Sequence, residues 1–300
     1  MTMANSGQPC LPNLLIIGAA KAGTTSLHKY LSLHPQIYMS RRKELSFFDS
    51  THRHWALGVD WYKTNFNAAY PVNGEASPQY SRYPKITGVP ERIRQVLGKD
   101  PKIVYLVRDP VDRIVSHYVQ IVEWASVTSW APPVRPFDEL LPDIENDDEF
   151  YIQGSSYFYQ IAQYRKVFPE ENILVVLQER LSKDRAGTLG RIFHFLGVDE
   201  TFWSSEFDMR LNEADGKRVE AAWFTRLAPA ALKRELEQPR WMPGPAHRAI
   251  HRLAKIGGAP IQKPRLSEAD DIRLQRAMRD DVAALREFLG DPLPEWRPYN

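Results

Sequence analysis

Short runs of apolar residues, each followed by a helical pattern, recur along the chain. The first run, residues 14–17, ends at Gly18 and is typical of a buried parallel strand. The helical pattern after it begins at Thr24 and Thr25, which we expect to cap a helix, and ends before Pro35, whose ring forbids continuation. The segment therefore predicts a strand, a loop and a helix in that order.

Two later segments repeat this arrangement. Residues 103–107 predict a second buried strand, and Pro110 opens the helix predicted after it. Residues 173–177 predict a third strand, followed by one helix that we expect to run through Leu196 and to close at Gly197. Strands that alternate with helices build parallel sheets covered on both faces. The pattern therefore predicts an α/β fold, a three-layer sandwich around a central parallel sheet.

The remaining segments are more polar. Residues 1–12 predict an N-terminal tail, and residues 125–148, rich in Pro and acidic residues, predict a surface excursion. Residues 239–264 are basic and rich in Pro and Gly, which predicts a linker or flap. A helical stripe over residues 267–289, with Ser267 as its expected cap, predicts a C-terminal helix. We expect the whole chain to form a single domain, with this helix packed against it.

Composition and charge exclude several classes of protein. The chain has 39 Lys and Arg against 37 Asp and Glu, and its formal net charge of +2 gives no reason to expect a nucleic-acid partner. The single cysteine, Cys10, excludes an internal disulfide framework and a thiolate-rich metal cluster. The apolar stretch Leu14–Ala20 is far shorter than the about 20 residues that a membrane span needs, and the N-terminus lacks the layout of a signal peptide. We therefore expect a soluble, cytoplasmic protein without a transmembrane segment.

The most informative segment is Gly18–Ser26, which reads GAAKAGTTS between the first strand and its helix. Small residues let backbone N–H groups close around a phosphate, and a helix N-terminus adds about half a positive charge. Gly18 and Gly23 keep the spacing of the triphosphatase loop GxxxxGK[ST], but Thr24 replaces its lysine, and Lys21 lies inside the loop instead. A tight turn that binds nothing would explain the glycines but not the lysine and the three hydroxyls. The segment therefore predicts a phosphate site.

Several motifs now resemble one family. Leu14–Leu27 resembles the 5′-phosphosulfate-binding loop of the sulfotransferases that use 3′-phosphoadenylyl sulfate (PAPS), and Val107–Arg113 resembles their 3′-phosphate-binding strand and helix. Lys43–Asp49, Gly74–Tyr80 and Phe195–Gly197 resemble the branch that contains the heparan sulfate sulfotransferases. The resemblance implies a P-loop-like fold and transfer of a sulfuryl group from PAPS.

The resemblance also implies where PAPS binds. Arg108 and Ser116 would hold the 3′-phosphate, because a planar guanidinium matches two oxygens of a dianion. From the residues alone, an ion pair of Arg108 with Asp109 or Asp112 stays open as the alternative. The 5′-phosphosulfate would be held by Lys21 and by the amides of Ala22, Gly23, Thr24, Thr25 and Ser26.

The reaction itself needs a base and a group that stabilises the leaving phosphate oxygen. Lys21 fits the second task, and no metal is chemically required, because one lysine and several aligned N–H groups can supply the stabilisation. The resemblance places Glu44 on the glutamate that acts as base in the heparan-type enzymes, while an ion pair of Glu44 with a cation at positions 41–43 is the alternative. Ala76 departs from the family, since those enzymes carry lysine there.

These observations together predict a PAPS-dependent sulfotransferase. It would sulfate a hydroxyl of a carbohydrate, glycolipid or other small molecule by in-line attack with Glu44 as base, leaving 3′,5′-ADP (PAP). Lys217 and Arg218 resemble the late basic loop that closes over the nucleotide, although such residues are also common on solvated surfaces. Two alternatives remain: a P-loop kinase or NTPase, and a PAP-binding relative without turnover.

Overall fold

A single five-stranded parallel sheet forms the centre of the protein, in the order β2-β3-β1-β4-β5. In this computed structural model, the strands are β1 (Leu14–Gly18), β2 (Ile37–Met39), β3 (Val72–Ala76), β4 (Lys102–Val107) and β5 (Ile173–Leu177). The structure describes residues 8–127, 134–146, 150–208, 218, 221–229, 231–232 and 244–300, and all that follows concerns these residues.

Helices flank the sheet and connect its strands. This arrangement confirms the predicted α/β class with a central parallel sheet. Among the described residues, none of the helices combines the length and the apolarity needed to cross a membrane. The helices are α1 (Thr24–Leu31), α2 (Gly58–Lys63), α3 (Val89–Leu97), α4 (Pro110–Val127), α5 (Phe137–Leu140), α6 (Tyr157–Arg165), α7 (Gln178–Lys183), α8 (Arg185–Leu196), α9 (Ala222–Leu227), α10 (Gly244–Ala254) and α11 (Glu268–Leu289), with 3₁₀ turns at Trp55–Leu57, Pro78–Ser81, Leu141–Asn146, Glu170–Asn172 and Ser205–Asp208.

The three predicted strands are confirmed as β1, β4 and β5, but β2 and β3 were not predicted. β2, which reads IYM, is too short to stand out as a strand, and β3 reads VNGEA, which is not an apolar run. The polar side chains of β3 are nonetheless buried, because hydrogen bonds satisfy them. Asn73 donates to the carbonyl of Tyr70 (2.9 Å), and Glu75 accepts from the hydroxyl of Tyr62 (2.6 Å).

Two expected helix boundaries are wrong. Neither threonine caps α1, because Gly23 occupies the N-cap position in the left-handed region (φ 95°) with no side-chain cap. The one helix expected after β5 is two helices, α7 and α8. Asp184 lies between them, and its carboxylate accepts the amide of Gly187 (3.0 Å), which starts α8 as a new helix.

Both segments that were expected to lie outside the core carry helices. The prediction of a surface excursion is wrong for residues 134–146, which include α5. The described part of the expected linker, residues 244–264, begins with α10, whose Ala254 is buried against Phe224. Apolar burial explains the first difference, since Phe137, Leu140, Leu141 and Ile144 all pack into the main core.

The strand order fixes where a ligand can bind. After β1 the chain builds β2 and β3 on one side of β1, and then β4 and β5 on the other side. The connections that leave the carboxyl ends of β1 and β4 therefore diverge, which opens a crevice at a topological switch point. The loop predicted to bind phosphate follows β1 and lies at this crevice.

Candidate functional site

A cavity of about 810 Å³ opens at the carboxyl edge of the sheet. Each of the five strands contributes the segment after it to the cavity wall. Lys21 follows β1, Glu44 follows β2, Pro78 follows β3, Arg108 follows β4 and Gln178 follows β5. Three residues far apart in sequence, Lys21, Glu44 and Arg108, thus line one cavity.

The β1–α1 loop, Ala19–Gly23, is held by its own backbone and by the neighbouring strand. The amide of Ala19 donates to the carbonyl of Leu106 in β4 (2.5 Å), and the amide of Ala22 donates to the carbonyl of Ala19 (3.1 Å). Lys21 adopts a left-handed conformation (φ 72°) and lines the cavity. Ala22 is fully buried, so its amide serves the fold of the loop and lies behind the cavity wall.

The first turn of α1 supplies donors to the cavity. Among the described residues, the amides of Gly23, Thr24 and Thr25 donate to no backbone carbonyl, whereas the amide of Ser26 donates to the carbonyl of Gly23 (3.0 Å). All four residues line the cavity beside Lys21. Open N–H groups, a helix N-terminus and an ammonium group at one place form an anion-binding site.

Arg108 directly follows β4, the strand next to β1, and lines the same cavity as this loop. Its Nη2 is 3.3 Å from a carboxylate oxygen of Asp112, so the ion pair considered from the sequence is present. Its Nε is buried and has no hydrogen-bond partner among the described residues. Asp112 also pairs with Arg297 (3.1 Å), which shares the negative charge between two guanidinium groups. The Arg108 side chain is 22% exposed and lines the cavity, so the accessible part of its guanidinium can reach an anion there.

Helix α4 carries Arg113, the last residue of the Val107–Arg113 motif, to which the sequence analysis assigned no role of its own. Arg113 is 2% exposed and donates to the carbonyls of Ala20 (3.1 Å) and Tyr151 (2.9 Å). Burial lowers the pKa of its guanidinium, whose hydrogen bonds tie the β1–α1 loop to the segment before α6. A charged residue next to Ile114 on the inward face of the helix was the available signal. Ser116 is buried one turn further along and lines the cavity, as expected.

Glu44 enters the cavity from an irregular segment. Its backbone is left-handed (φ 62°), its amide donates to the carbonyl of Ala76 (3.0 Å), and its side chain is 51% exposed. The carboxylate pairs with the ammonium group of Lys43 (2.6 Å). The ion pair considered as an alternative is therefore observed, in a position that faces the cavity.

The outer wall of the cavity is built from residues that the sequence did not single out. Arg82 adds a cation, and its guanidinium lies over the ring of Phe150 (5.3 Å). Ile121 and Trp124 add apolar surface from α4, one and two turns beyond His117. The wall thus changes from cationic and polar near Arg108 to partly apolar at the far end of α4.

Of the two predicted basic residues of the late loop, only Arg218 is among the described residues, and it does not line the cavity. Lys217 lies outside the described residues. Arg218 is exposed, donates to the carbonyl of Gly258 (2.9 Å) and forms an antiparallel bridge with Pro260. Within the described part of the chain, no three His, Cys, Asp or Glu side chains converge as a group that could hold a metal ion.

A parallel sheet with a glycine-bounded loop and a helix N-terminus at its carboxyl edge defines a P-loop-like α/β protein. Comparison with known proteins specifies the family. Residues 11–215 match the Sulfotransferase domain family, and the chain belongs to it.

Individual relatives are similar over part of their length. The Membrane-associated sulfotransferase kil1 of Dictyostelium discoideum is 33% identical over 162 residues, which are 52% of this chain and 33% of that protein. The human Heparan sulfate glucosamine 3-O-sulfotransferase 3B1 is 32% identical over 213 residues, 68% of this chain and 50% of that protein. The chain thus spans at most half the length of these curated relatives. A crystal structure of a sulfotransferase from Alicyclobacillus acidocaldarius superposes with a TM-score of 0.63 and 24% identity, covering 95% of this chain and 98% of that one, and shows the same fold.

Proposed function

We propose that this protein transfers a sulfuryl group from PAPS to a hydroxyl of an acceptor molecule. The observation that carries the proposal is the shared cavity of Lys21, the first turn of α1, Arg108 and Glu44. Membership in the sulfotransferase family supports the class of reaction. The roles of the individual residues below are part of the proposal.

The residues of the cavity fit a ligand with two separate phosphate groups. Lys21 and the open amides of Gly23, Thr24 and Thr25 would hold the 5′-phosphosulfate. Arg108, whose side chain is partly exposed in the cavity wall, would hold the 3′-phosphate together with Ser116. The amide of Ala22 donates to the carbonyl of Ala19 and that of Ser26 to the carbonyl of Gly23, so these two residues would shape the loop and the first turn of α1.

Bound PAPS supplies an activated sulfuryl group and a phosphate leaving group. Glu44 would accept the proton of the attacking hydroxyl, since its half-exposed carboxylate faces the cavity. Lys43 would orient that carboxylate through their ion pair. Lys21 and the amides at the start of α1 would stabilise the negative charge on the leaving phosphate oxygen, because they are fixed before the reaction starts.

The acceptor would bind along the outer wall of the cavity. Lys43 and Arg82 suit an acceptor with acidic groups, and Trp124 suits stacking on a sugar ring. Lys43 precedes Glu44, whose amide donates to the carbonyl of Ala76, so Lys43 adds a cation close to the position where the heparan-type enzymes carry a lysine. We therefore propose a carbohydrate or glycolipid hydroxyl as acceptor, with another small molecule as the wider class.

Three further points stay predictions. They are a role of Lys217 and Arg218 over the nucleotide, the single-domain organisation and a cytoplasmic location.

The arrangement around Asp109 supports this proposal over a kinase or NTPase. An NTPase needs an acidic residue at the end of an apolar strand to hold Mg²⁺ beside its nucleotide. Asp109 has that position after β4, but it is 4% exposed and pairs with Arg297. Its other contacts include the hydroxyl of Tyr299 (3.1 Å). The carboxylate is thus engaged in the fold and is not part of the cavity wall.

The test measures the nucleotide and the transfer separately. Calorimetry with 3′,5′-ADP and 5′-AMP should show tighter binding of 3′,5′-ADP by about tenfold to a hundredfold, because only that ligand has a phosphate for Arg108. Incubation of cell extracts with sulfur-labelled PAPS should then show which metabolite acquires the label. Equal affinities for the two nucleotides would contradict the two-phosphate site. Tight binding of 3′,5′-ADP without any labelled product would instead favour a PAP-binding protein without turnover.

A further inference from the structure

A buried carboxylate lies beneath the segment that carries Glu44. Glu75, near the end of β3, has no exposed surface. Its carboxylate accepts hydrogen bonds from the hydroxyls of Tyr62 (2.6 Å), Ser77 (2.7 Å) and Tyr80 (2.9 Å). Burial raises the pKa of Glu75, and these three hydrogen bonds oppose that effect. The sulfuryl transfer proposed above assigns no role to Glu75.

Two of the three hydroxyls also hold the Glu44 loop, which we define as Glu44–Phe48. The amide of Ser46 donates to Ser77 Oγ (3.0 Å), and the amide of Phe48 donates to Tyr80 Oη (3.1 Å). Both contacts are buried and join residues more than 30 positions apart in the chain. The Glu44 loop is therefore attached to the end of β3 by two side-chain oxygens.

The carboxylate of Glu75 fixes the direction of these hydrogen bonds. A hydroxyl has one hydrogen and two lone pairs, and an ionised carboxylate can only accept. The hydrogens of Ser77 Oγ and Tyr80 Oη therefore point at Glu75, and their lone pairs face the amides of Ser46 and Phe48. The third hydroxyl, on Tyr62, donates to Glu75 without accepting an amide of the Glu44 loop in the described structure.

The backbone determines where the Glu44 side chain lies. The side chain itself is half exposed, and among the described residues the ion pair with Lys43 is the one polar contact of its carboxylate. Its own amide donates to the carbonyl of Ala76, the residue after Glu75. Movement of the loop away from β3 would therefore move the carboxylate within the cavity. A displacement of about 1 Å at a reacting group can cost about a hundredfold in rate.

We propose that Glu75 is a positioning residue: through Ser77 and Tyr80 it holds the Glu44 loop against the end of β3 and so sets the place of Glu44 in the cavity. The inference rests on the proposed role of Glu44 as base. Glu75 acts through other residues and contacts neither nucleotide nor acceptor.

The two tyrosines provide a matched pair of variants. Tyr80→Phe and Tyr62→Phe each remove one phenol hydroxyl from the same carboxylate, and both rings are buried. Only Tyr80→Phe removes the acceptor of the Phe48 amide. We expect Tyr80→Phe to raise hydrogen exchange of that amide about tenfold and to lower kcat about tenfold, with the Kd for 3′,5′-ADP within about twofold of wild type. Tyr62→Phe should change exchange and kcat less than about threefold.

Glu75→Gln tests the direction of the hydrogen bonds. A side-chain amide must donate to one hydroxyl, which then turns its hydrogen toward the loop. Because Ser77 bonds to one carboxylate oxygen and Tyr80 to the other, the new amide group displaces one of these two hydroxyls. We expect exchange of at least one of the two loop amides, that of Ser46 or that of Phe48, to rise, and kcat to fall by about 10- to 100-fold. Unchanged exchange of both amides in a folded variant would overturn the proposal, as would equal effects of Tyr80→Phe and Tyr62→Phe.

A double variant separates this proposal from the proposed function. Tyr80→Phe in a Glu44→Gln background should cause no further loss of kcat beyond about twofold, because the group being positioned is already gone. A full additional tenfold loss would show that Tyr80 acts elsewhere and would contradict positioning through Glu44. A wild-type rate for Glu44→Gln alone would remove Glu44 as base, while amide exchange would still decide whether Glu75 orders the loop.

Discussion

The β1–α1 loop and the Glu44 loop line the same cavity but are held in different ways. The β1–α1 loop lies between a strand and a helix that are its neighbours in sequence, and its amides bond to Leu106 and to Ala19. The Glu44 loop has no adjoining helix, and its amides bond to side chains of Ser77 and Tyr80, about 30 residues later. The β1–α1 loop is held mainly by backbone hydrogen bonds, with Arg113 added at Ala20, whereas the Glu44 loop depends more on the buried side-chain oxygens of Ser77 and Tyr80.

This difference explains what the sequence could reveal. Gly18, Lys21 and Gly23 predict a phosphate loop because the strand, the loop and the helix that position it are adjacent in the chain. Glu44 was found by resemblance alone, since nothing next to it in sequence indicates a fixed position. A local pattern predicts a local site, whereas a site built across the fold depends on contacts that a single sequence does not display.

The largest effect should follow from removing the proposed base. Glu44→Gln keeps the shape and hydrogen bonding of the side chain but not its basicity, so turnover should fall by about 10²- to 10⁴-fold while affinity for 3′,5′-ADP stays near wild type. Lys21→Ala, in the other loop, should weaken both turnover and nucleotide binding. Steady-state kinetics at saturating PAPS and acceptor, with calorimetry on each variant, separates the two patterns. A Glu44→Gln enzyme that turns over within a few-fold of wild type would contradict the proposal that the Glu44 loop supplies the base and the β1–α1 loop binds the nucleotide.

The second effect concerns the support behind Arg108. Arg297 pairs with Asp112 (3.1 Å) and Asp271 (2.9 Å) and also with Asp109, which is buried. Arg297→Gln leaves the Asp109 carboxylate without its cation, and we expect a loss of about 2 to 4 kcal/mol in the free energy of unfolding, below the range for a fully buried pair because Arg297 is partly exposed. Urea unfolding measures this loss. Arg135→Gln, which breaks an exposed ion pair with Asp143, is the control and should cost less than about 1 kcal/mol.

The parts of the fold that the sequence missed have a common physical cause. β3 was not predicted because its buried polar residues, Asn73 and Glu75, do not form an apolar run, and only the folded chain supplies their partners. The break between α7 and α8 depends on one carboxylate, that of Asp184, taking a cap position. By contrast, β1, β4 and β5 are buried and consist of apolar residues, apart from Gly18 and Lys102 at strand ends. Their composition alone therefore predicts that they are buried strands.

A third test asks how pH acts on the framework that supports the β1–α1 loop. Asp281 of α11 accepts the amides of Phe158 (3.0 Å) and Tyr159 (2.8 Å) at the start of α6. Burial raises the pKa of Asp281 to about 6, although these amides oppose the shift. The folded state therefore binds more protons than the unfolded chain between about pH 4 and pH 6, and stability falls as pH rises through that range.

The size of this effect is up to about 3 kcal/mol, and Asp281→Asn should remove it. Urea unfolding of both proteins from pH 4.5 to pH 7 isolates the contribution, because all other titrating groups are shared. The wild type should lose stability relative to the variant as pH rises. Parallel pH profiles of the two proteins would show that Asp281 titrates normally and that the two amides outweigh its burial.

The smallest effect should follow from Arg108→Ala, and it tests how far the nucleotide site extends beyond the β1–α1 loop. Arg108 already shares Asp112 with Arg297, so its removal leaves that carboxylate paired and should disturb the fold little. Losing one charge-assisted hydrogen bond to the 3′-phosphate costs about 1.5 to 3 kcal/mol, which corresponds to a loss of affinity for 3′,5′-ADP of about tenfold to a hundredfold.

Affinity for 5′-AMP, which lacks that phosphate, serves as the internal control and should change by less than about threefold. Arg135→Ala, remote from the cavity lining, should change neither affinity. If Arg108→Ala weakens both nucleotides equally, the guanidinium acts on the β1–α1 loop or on the cavity as a whole. The β1–α1 loop would then keep its role at the 5′-phosphosulfate, but the residues that hold the 3′-phosphate would have to be sought elsewhere in the cavity, Ser116 first.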